Sequence, residues 1–209
     1  MNLLAHALLA GPGAEVCLGN VLADFVKGRD RRTMPPAFRE GVRQHQSIDA
    51  FTDMHAVVSQ SKARIGGYPH LTGILVDVFY DHFLTLRWDR YSSEPLGDFT
   101  ARLYATLRSH RLPLPATAQA VVDRIVGDDW LGSYGSIAGV EDTLCRISRS
   151  LEARIGRDFR LGEATVELRA NFDDLDRDFA EFFPQLQAHV ATIRTAEPYA
   201  VADRPHDTR

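Results

Sequence analysis

Apolar residues recur every three or four positions along almost the whole chain, and no stretch of strand length alternates strictly between apolar and polar. That period predicts an all-α protein. Helices are expected at about 2–10, 15–27, 35–54, 55–65, 70–91, 96–110, 116–130, 136–156 and 163–194, the last long enough to break in two. Breakers stand between them: Gly11-Pro12-Gly13, Gly28, Pro35-Pro36, Gly66-Gly67 with Pro69, Pro113 with Pro115, and Gly132. None forms a long linker, so one compact helical bundle over residues 1–195 is expected, a size that needs neither disulfide nor metal merely to hold it together. The segment from about Ala196, with EPYAVADRPHDTR, lacks periodic apolar residues and is expected to be a disordered tail.

Polar residues interrupt the apolar stripes in a grouped way. On the second expected helix Asp24 shares a stripe with Cys17, Asn20 and Val21. On the third, Phe38, Val42, His45, Asp49 and Thr52 follow the same spacing, so His45 and Asp49 stand one turn apart, with Asp53 a turn further on. On the fifth, Leu71, Ile74, Leu75, Val78 and His82 form the stripe, and Asp77 and Asp81 run along its edge. The first helix adds His6 between Leu3 and Leu9. A single inward histidine is usually a satisfied core residue. Together His6, Asp24, His45, Asp49, Asp81 and His82 on successive helices would make a costly polar interior unless they converge on a cation or form a closed ionic network that fixes helix register.

Mixed imidazole and carboxylate donors suit Mn²⁺, Mg²⁺, Fe or Zn²⁺ and favour an open, hydrolytic centre over a structural zinc site. Such a centre polarises a phosphoryl oxygen and activates water. No Glu is followed three residues later by His, which removes the ferritin-like di-iron pattern. The GxSxG elbow, the P-loop and GxGxxG are also absent. The 209 residues carry a formal charge of −4, which argues against general affinity for nucleic acid or an anionic membrane. Two cysteines, Cys17 and Cys145, form no CxxC pair and suit a reducing, cytoplasmic setting. The apolar start MNLLAHALLAGPGA has no preceding Lys or Arg and is interrupted by His6, so it reads as a first helix and not a signal peptide.

The segments MNLLAH, GNVLADFVKG, PPAFREGVRQHQSIDAFTDMH and GILVDVFYDHFL resemble, in order and spacing, the acyl carrier protein phosphodiesterase family. Weaker similarity continues through LCRISRSLEARIG and LRANFDDLDRDFAEFFPQL, so the resemblance covers roughly residues 1–190. It implies a divergent HD-type metal phosphohydrolase, all-helical, that removes phosphopantetheine from holo-acyl carrier protein with a divalent metal, commonly Mn²⁺, although Mg²⁺ and Fe stay open. By the same resemblance Asp24 in LADF, His45 and Asp49 in HQSID, and Asp81 and His82 in YDHF are the expected metal-binding and catalytic residues. The ordinary HD order is altered here, with Asp24 first and the adjacent pair reversed, so either Asp81 or His82 could bind directly. His6, Asn20, Asp53 and Asp77 are expected to support the ligands.

A basic run, KGRDRR, follows the helix that carries Asp24. Lys27, Arg29, Arg31 and Arg32, with Arg39 and Arg43, form either a rim that receives an acidic carrier protein or an ordinary solvated loop. The segment GGYPHLTG departs from the family pattern and bears on the choice of substrate. Two other functions remain open: a helical module that binds a carrier protein or nucleotide without turnover, and a hydrolase of another phosphoester.

Overall fold

The computed structural model describes residues 1–196, and the expectation of a disordered tail falls outside them. Twelve α-helices occur among the described residues: α1 Leu3–Leu9, α2 Ala14–Val21, α3 Gly28–Thr33, α4 Pro36–Met54, α5 Ala56–Arg64, α6 Thr72–Leu86, α7 Leu96–Ser109, α8 Ala116–Gly127, α9 Trp130–Ser133, α10 Ile137–Ile155, α11 Thr165–Ala170 and α12 Phe172–Ala196. No strand occurs among the described residues, as the three-and-four spacing requires.

Local chemistry sets the helix ends. The Asn2 side chain accepts from Leu3 N and caps α1, while Ser136 accepts from Gly139 N and caps α10. Pro36 occupies the first turn of α4, where no amide proton is needed. Gly156, at φ +76°, closes α10 in the left-handed conformation that glycine tolerates. His55 ends α4 and begins α5, accepting from Val57 N through its ring.

Three boundaries differ from expectation. The second helix stops at Val21 and not near 27, because Leu22 and Val26 turn inward and are fully buried. The basic run is then a short helix, α3, and not a loop. The fifth expected helix begins at Thr72, after His70 at φ +66°, and ends at Leu86 before a tight turn over Trp88–Arg90. The last does break in two, at Asn171, whose side chain donates to the Glu167 carbonyl.

One apolar cluster runs through the helices, with α12 supplying Phe179 and Phe182 against Tyr80 and Phe83 of α6, and Phe183 against Tyr91. Each fully buried aromatic contributes roughly 1.5–3 kcal/mol. The contact that matters most for the site is between α2 and α4. A Cβ on Gly41 would overlap the Val16 carbonyl oxygen, and one on Gly19 would overlap that of Phe38. Two glycines therefore let the backbones touch, and this brings Asn20 against His45.

Candidate metal centre

His6 on α1 and His45 and Asp49 on α4 present one ligand atom each, all within 4.8 Å of one another. His45 Nε2 is 3.0 Å from Asp49 Oδ2, and His6 Nε2 is 3.2 Å from Asp49 Oδ1. The imidazoles stack, ring centroids 4.0 Å apart. Both rings turn their other nitrogen to Asn20 on α2: His45 Nδ1 donates to its main-chain carbonyl and His6 Nδ1 to its side-chain oxygen, each over 2.8 Å. With the protons on Nδ1, both Nε2 lone pairs face the carboxylate, an arrangement that needs either a further proton or a cation between them.

Burial favours the neutral form of the His6 ring. Burial pulls the His6 imidazole below its ordinary value against its bond to Asp49, and the charges of His45 and the Met1 amino group add to the fall. Burial would raise the Asp49 carboxyl, yet a proton shared with His45 and then His6, together with the charge of the Met1 amino group, holds it well below the usual carboxylate range. That amino group lies 3.0 Å from Asp77 and 3.6 Å from Asp49. The donor set, two imidazole nitrogens and an ionised carboxylate, fits a divalent cation.

The remaining expected residues divide. Asp24 stands on the turn after α2, 3.8 Å from His45 Nε2, its side chain 70% exposed at the mouth of the group. His6, expected only to support, is in the group itself, and Asn20 supports both rings. Asp81 and His82 are not brought to it. The fully buried Asp81 accepts from the amides of Leu4 and Ala5, at 2.8 and 3.2 Å, so it anchors the N-terminus of α1, the helix that carries His6. His82 turns the other way, its Nδ1 donating to the Tyr134 carbonyl over 2.6 Å beside Phe83 and Phe172. The reason is their adjacency: neighbours on a helix point about 100° apart. Asp53 faces outward to Lys62 at 2.9 Å.

Of the basic residues, Lys27, Arg29, Arg32 and Arg39 are exposed. Arg31 is engaged instead by the Val26 and Ala23 carbonyls, at 3.0 and 2.7 Å, and so braces the turn that bears Asp24. Arg43 pairs with Glu40. Gln44 lay outside the expected set, although its spacing with Gly41 and Ile48 marks a buried stripe of α4 and could have flagged it. Its amide bonds to Asn20.

Fold and site together define an all-helical protein with a histidine–aspartate cluster whose donors could hold a metal ion. The sequence profile described as acyl carrier protein phosphodiesterase matches residues 1–186, and the chain belongs to that family. A relative named acyl carrier protein phosphodiesterase from Photorhabdus laumondii subsp. laumondii is 29% identical over 188 residues, covering 89% of this chain and 93% of that one. One of the same name from Salmonella agona is 30% identical over 196 residues, covering 91% of this chain and 98% of its own. No solved structure matches the chain, so the likeness to the HD-type fold stands on the sequence resemblance.

Proposed function

We propose that the chain is a metal-dependent acyl carrier protein phosphodiesterase that hydrolyses the phosphodiester between phosphopantetheine and a serine of holo-acyl carrier protein, giving apo-carrier and free phosphopantetheine. Family membership supports the reaction, and the observation that carries its metal dependence is the convergence of the two Nε2 atoms on the Asp49 carboxylate, at 3.2 and 3.0 Å. His6, His45 and Asp49 would hold the cation, Mn²⁺ by the family resemblance. A divalent metal there supplies Lewis acidity toward the phosphoryl oxygen and a nucleophile from water at neutral pH.

The chain's own residues supply the rest. Asp24, exposed beside His45, is placed to orient the attacking water or accept its proton. Asn20 holds both imidazoles in orientation, and Asp81 holds α1 and with it His6. Lys27, Arg29, Arg32 and Arg39 offer an acidic carrier protein a basic approach near the Asp24 turn. No described helix is long and apolar enough to cross a membrane, and the free thiols of Cys17 and Cys145 suit work in the cytoplasm.

The test is metal analysis of the purified chain, followed by assay of phosphopantetheine release from holo-acyl carrier protein before and after EDTA and after Mn²⁺ is restored. EDTA is expected to abolish release and lower the melting temperature, since a cation bound only to the folded state stabilises it by about 2.7 kcal/mol at a hundred times its Kd. Release that continues after verified metal removal would overturn the metal reading. Metal binding without release from any holo-carrier would make the chain a binding module or a hydrolase of another phosphoester.

A further inference from the structure

The two histidines reach the same protonation pattern by different routes. His45 Nδ1 faces a main-chain carbonyl, which can only accept, so its proton is fixed on that nitrogen. His6 Nδ1 faces a side-chain amide, and an amide turned half a revolution would present its NH₂ instead. His6 would then carry its proton on Nε2 and donate to Asp49, a charge-assisted bond that the observed arrangement forgoes. Something must hold the Asn20 amide against that gain.

The hold is traced through Gln44. The Leu9 carbonyl can only accept, and it takes a hydrogen bond from Gln44 Nε2 over 3.1 Å. This turns Gln44 Oε1 toward Asn20 Nδ2, which donates to it over 3.0 Å. Asn20 therefore has only its oxygen left for His6. Reversing either amide would set oxygen against oxygen or NH₂ against N–H in a buried place, where an unmet polar group is costly.

We propose that Gln44 is a positioning residue of this centre: acting through Asn20, it keeps His6 as the Nδ1–H tautomer, with the Nε2 lone pair facing Asp49 and open to a divalent cation. The proposal rests on the reading of His6 as a metal-holding residue. Groups that orient a ligating imidazole commonly alter metal affinity about 10–100-fold.

Nitrogen NMR of the histidine rings in the metal-free full-length chain, at about pH 7.5, reads the tautomer directly. Calorimetric titration with MnCl₂ reads the affinity. Wild type is expected to show His6 as Nδ1–H. Gln44→Leu is expected to move most of the population to Nε2–H and to weaken Mn²⁺ binding about 10–100-fold. Adding Asn20→Asp to that variant is expected to restore Nδ1–H, because a carboxylate accepts whichever way it turns. An Nε2–H wild type, or a Gln44→Leu variant unchanged in both tautomer and affinity, would overturn the proposal. An Nδ1–H wild type that binds no Mn²⁺ would sink the metal reading and leave the relay intact. If circular dichroism shows Gln44→Leu unfolded, Gln44→Met replaces it: a shift to Nε2–H with weaker Mn²⁺ binding supports the relay, and no change in either overturns it.

Discussion

Asp178 on α12 and Asp49 on α4 are both aspartates held against neighbouring helices, and they are met by different kinds of partner. Asp178 accepts from Ser61 Oγ at 2.8 Å, Gln60 Nε2 at 3.3 Å and Arg64 Nε at 2.9 Å, and Ser61 is bonded in turn to Tyr80. An arginine is charged at any physiological pH, so this cluster is complete as it stands and works as a clamp between α5 and α12. Asp49 has the Met1 amino group 3.6 Å away and meets two imidazoles whose Nδ1 protons are already committed, and those two contacts complete only with an added proton or cation. The contrast teaches that an inward carboxylate is informative through its donors: permanent ones mark architecture, and conditional ones mark a binding site.

The sharpest way to break the comparison is to remove a member of each cluster. His45→Ala and Asp49→Ala are expected to lower phosphopantetheine release by about a thousandfold or more while leaving helical content near wild type, since such a centre is lost as a unit. Asp178→Ala is expected to keep turnover per folded molecule but to lower stability by roughly 1–3 kcal/mol, because it removes the acceptor of the buried Ser61 hydroxyl. Denaturant titration beside the release assay separates the two. A reversed pattern would put the clamp, and not the histidine cluster, at the centre of function.

A smaller effect is expected at the approach to the site. Arg29→Glu with Arg32→Glu should raise KM for holo-acyl carrier protein several-fold and flatten its salt dependence, while cleavage of a small phosphodiester stays nearly unchanged. Arg31→Ala should instead lower turnover on both substrates, since its guanidinium braces the carbonyls on either side of Asp24. Equal losses on both substrates for the Arg29 and Arg32 pair would move those residues from docking to folding.

The effect furthest from turnover is in stability against pH. Burial raises the Asp81 carboxyl to about 7, against the two amide bonds from Leu4 and Ala5 and the charge of the Met1 amino group. The folded chain therefore holds a proton on Asp81 that the unfolded chain has released, so this residue's contribution falls as pH rises from about 4 to about 7 and is level above that. The buried His6 and His82 imidazoles, both shifted downward, act in the opposite sense. The measurement is accordingly the difference in unfolding free energy between wild type and Asp81→Asn across that window in metal-free buffer. A difference independent of pH would show that Asp81 stays ionised in its place under α1.

The helix period alone determined that the protein is all-α and that His45 and Asp49 lie one turn apart, because contacts within a helix follow from its geometry. It also marked the polar groups of the first 82 residues as a set to be met by a cation or by an ionic network. The partners across helices were another matter. Whether His6 is a lone core histidine or part of the group depends on α1 being held by Asp81 and on α2 touching α4 through Gly19 and Gly41. Which way Asp81 and His82 each point was settled by the Leu4 and Ala5 amides and the Tyr134 carbonyl, groups that lie far along the chain. The run KGRDRR read as one basic patch until Arg31 found two carbonyls, and what Gln44 holds became visible only beside Asn20 and Leu9, although its place on a buried stripe was legible. A period in the sequence records which face of a helix turns inward, whereas hydrogen bonds are directional and a few ångströms long, so the partner at that face is chosen by tertiary packing.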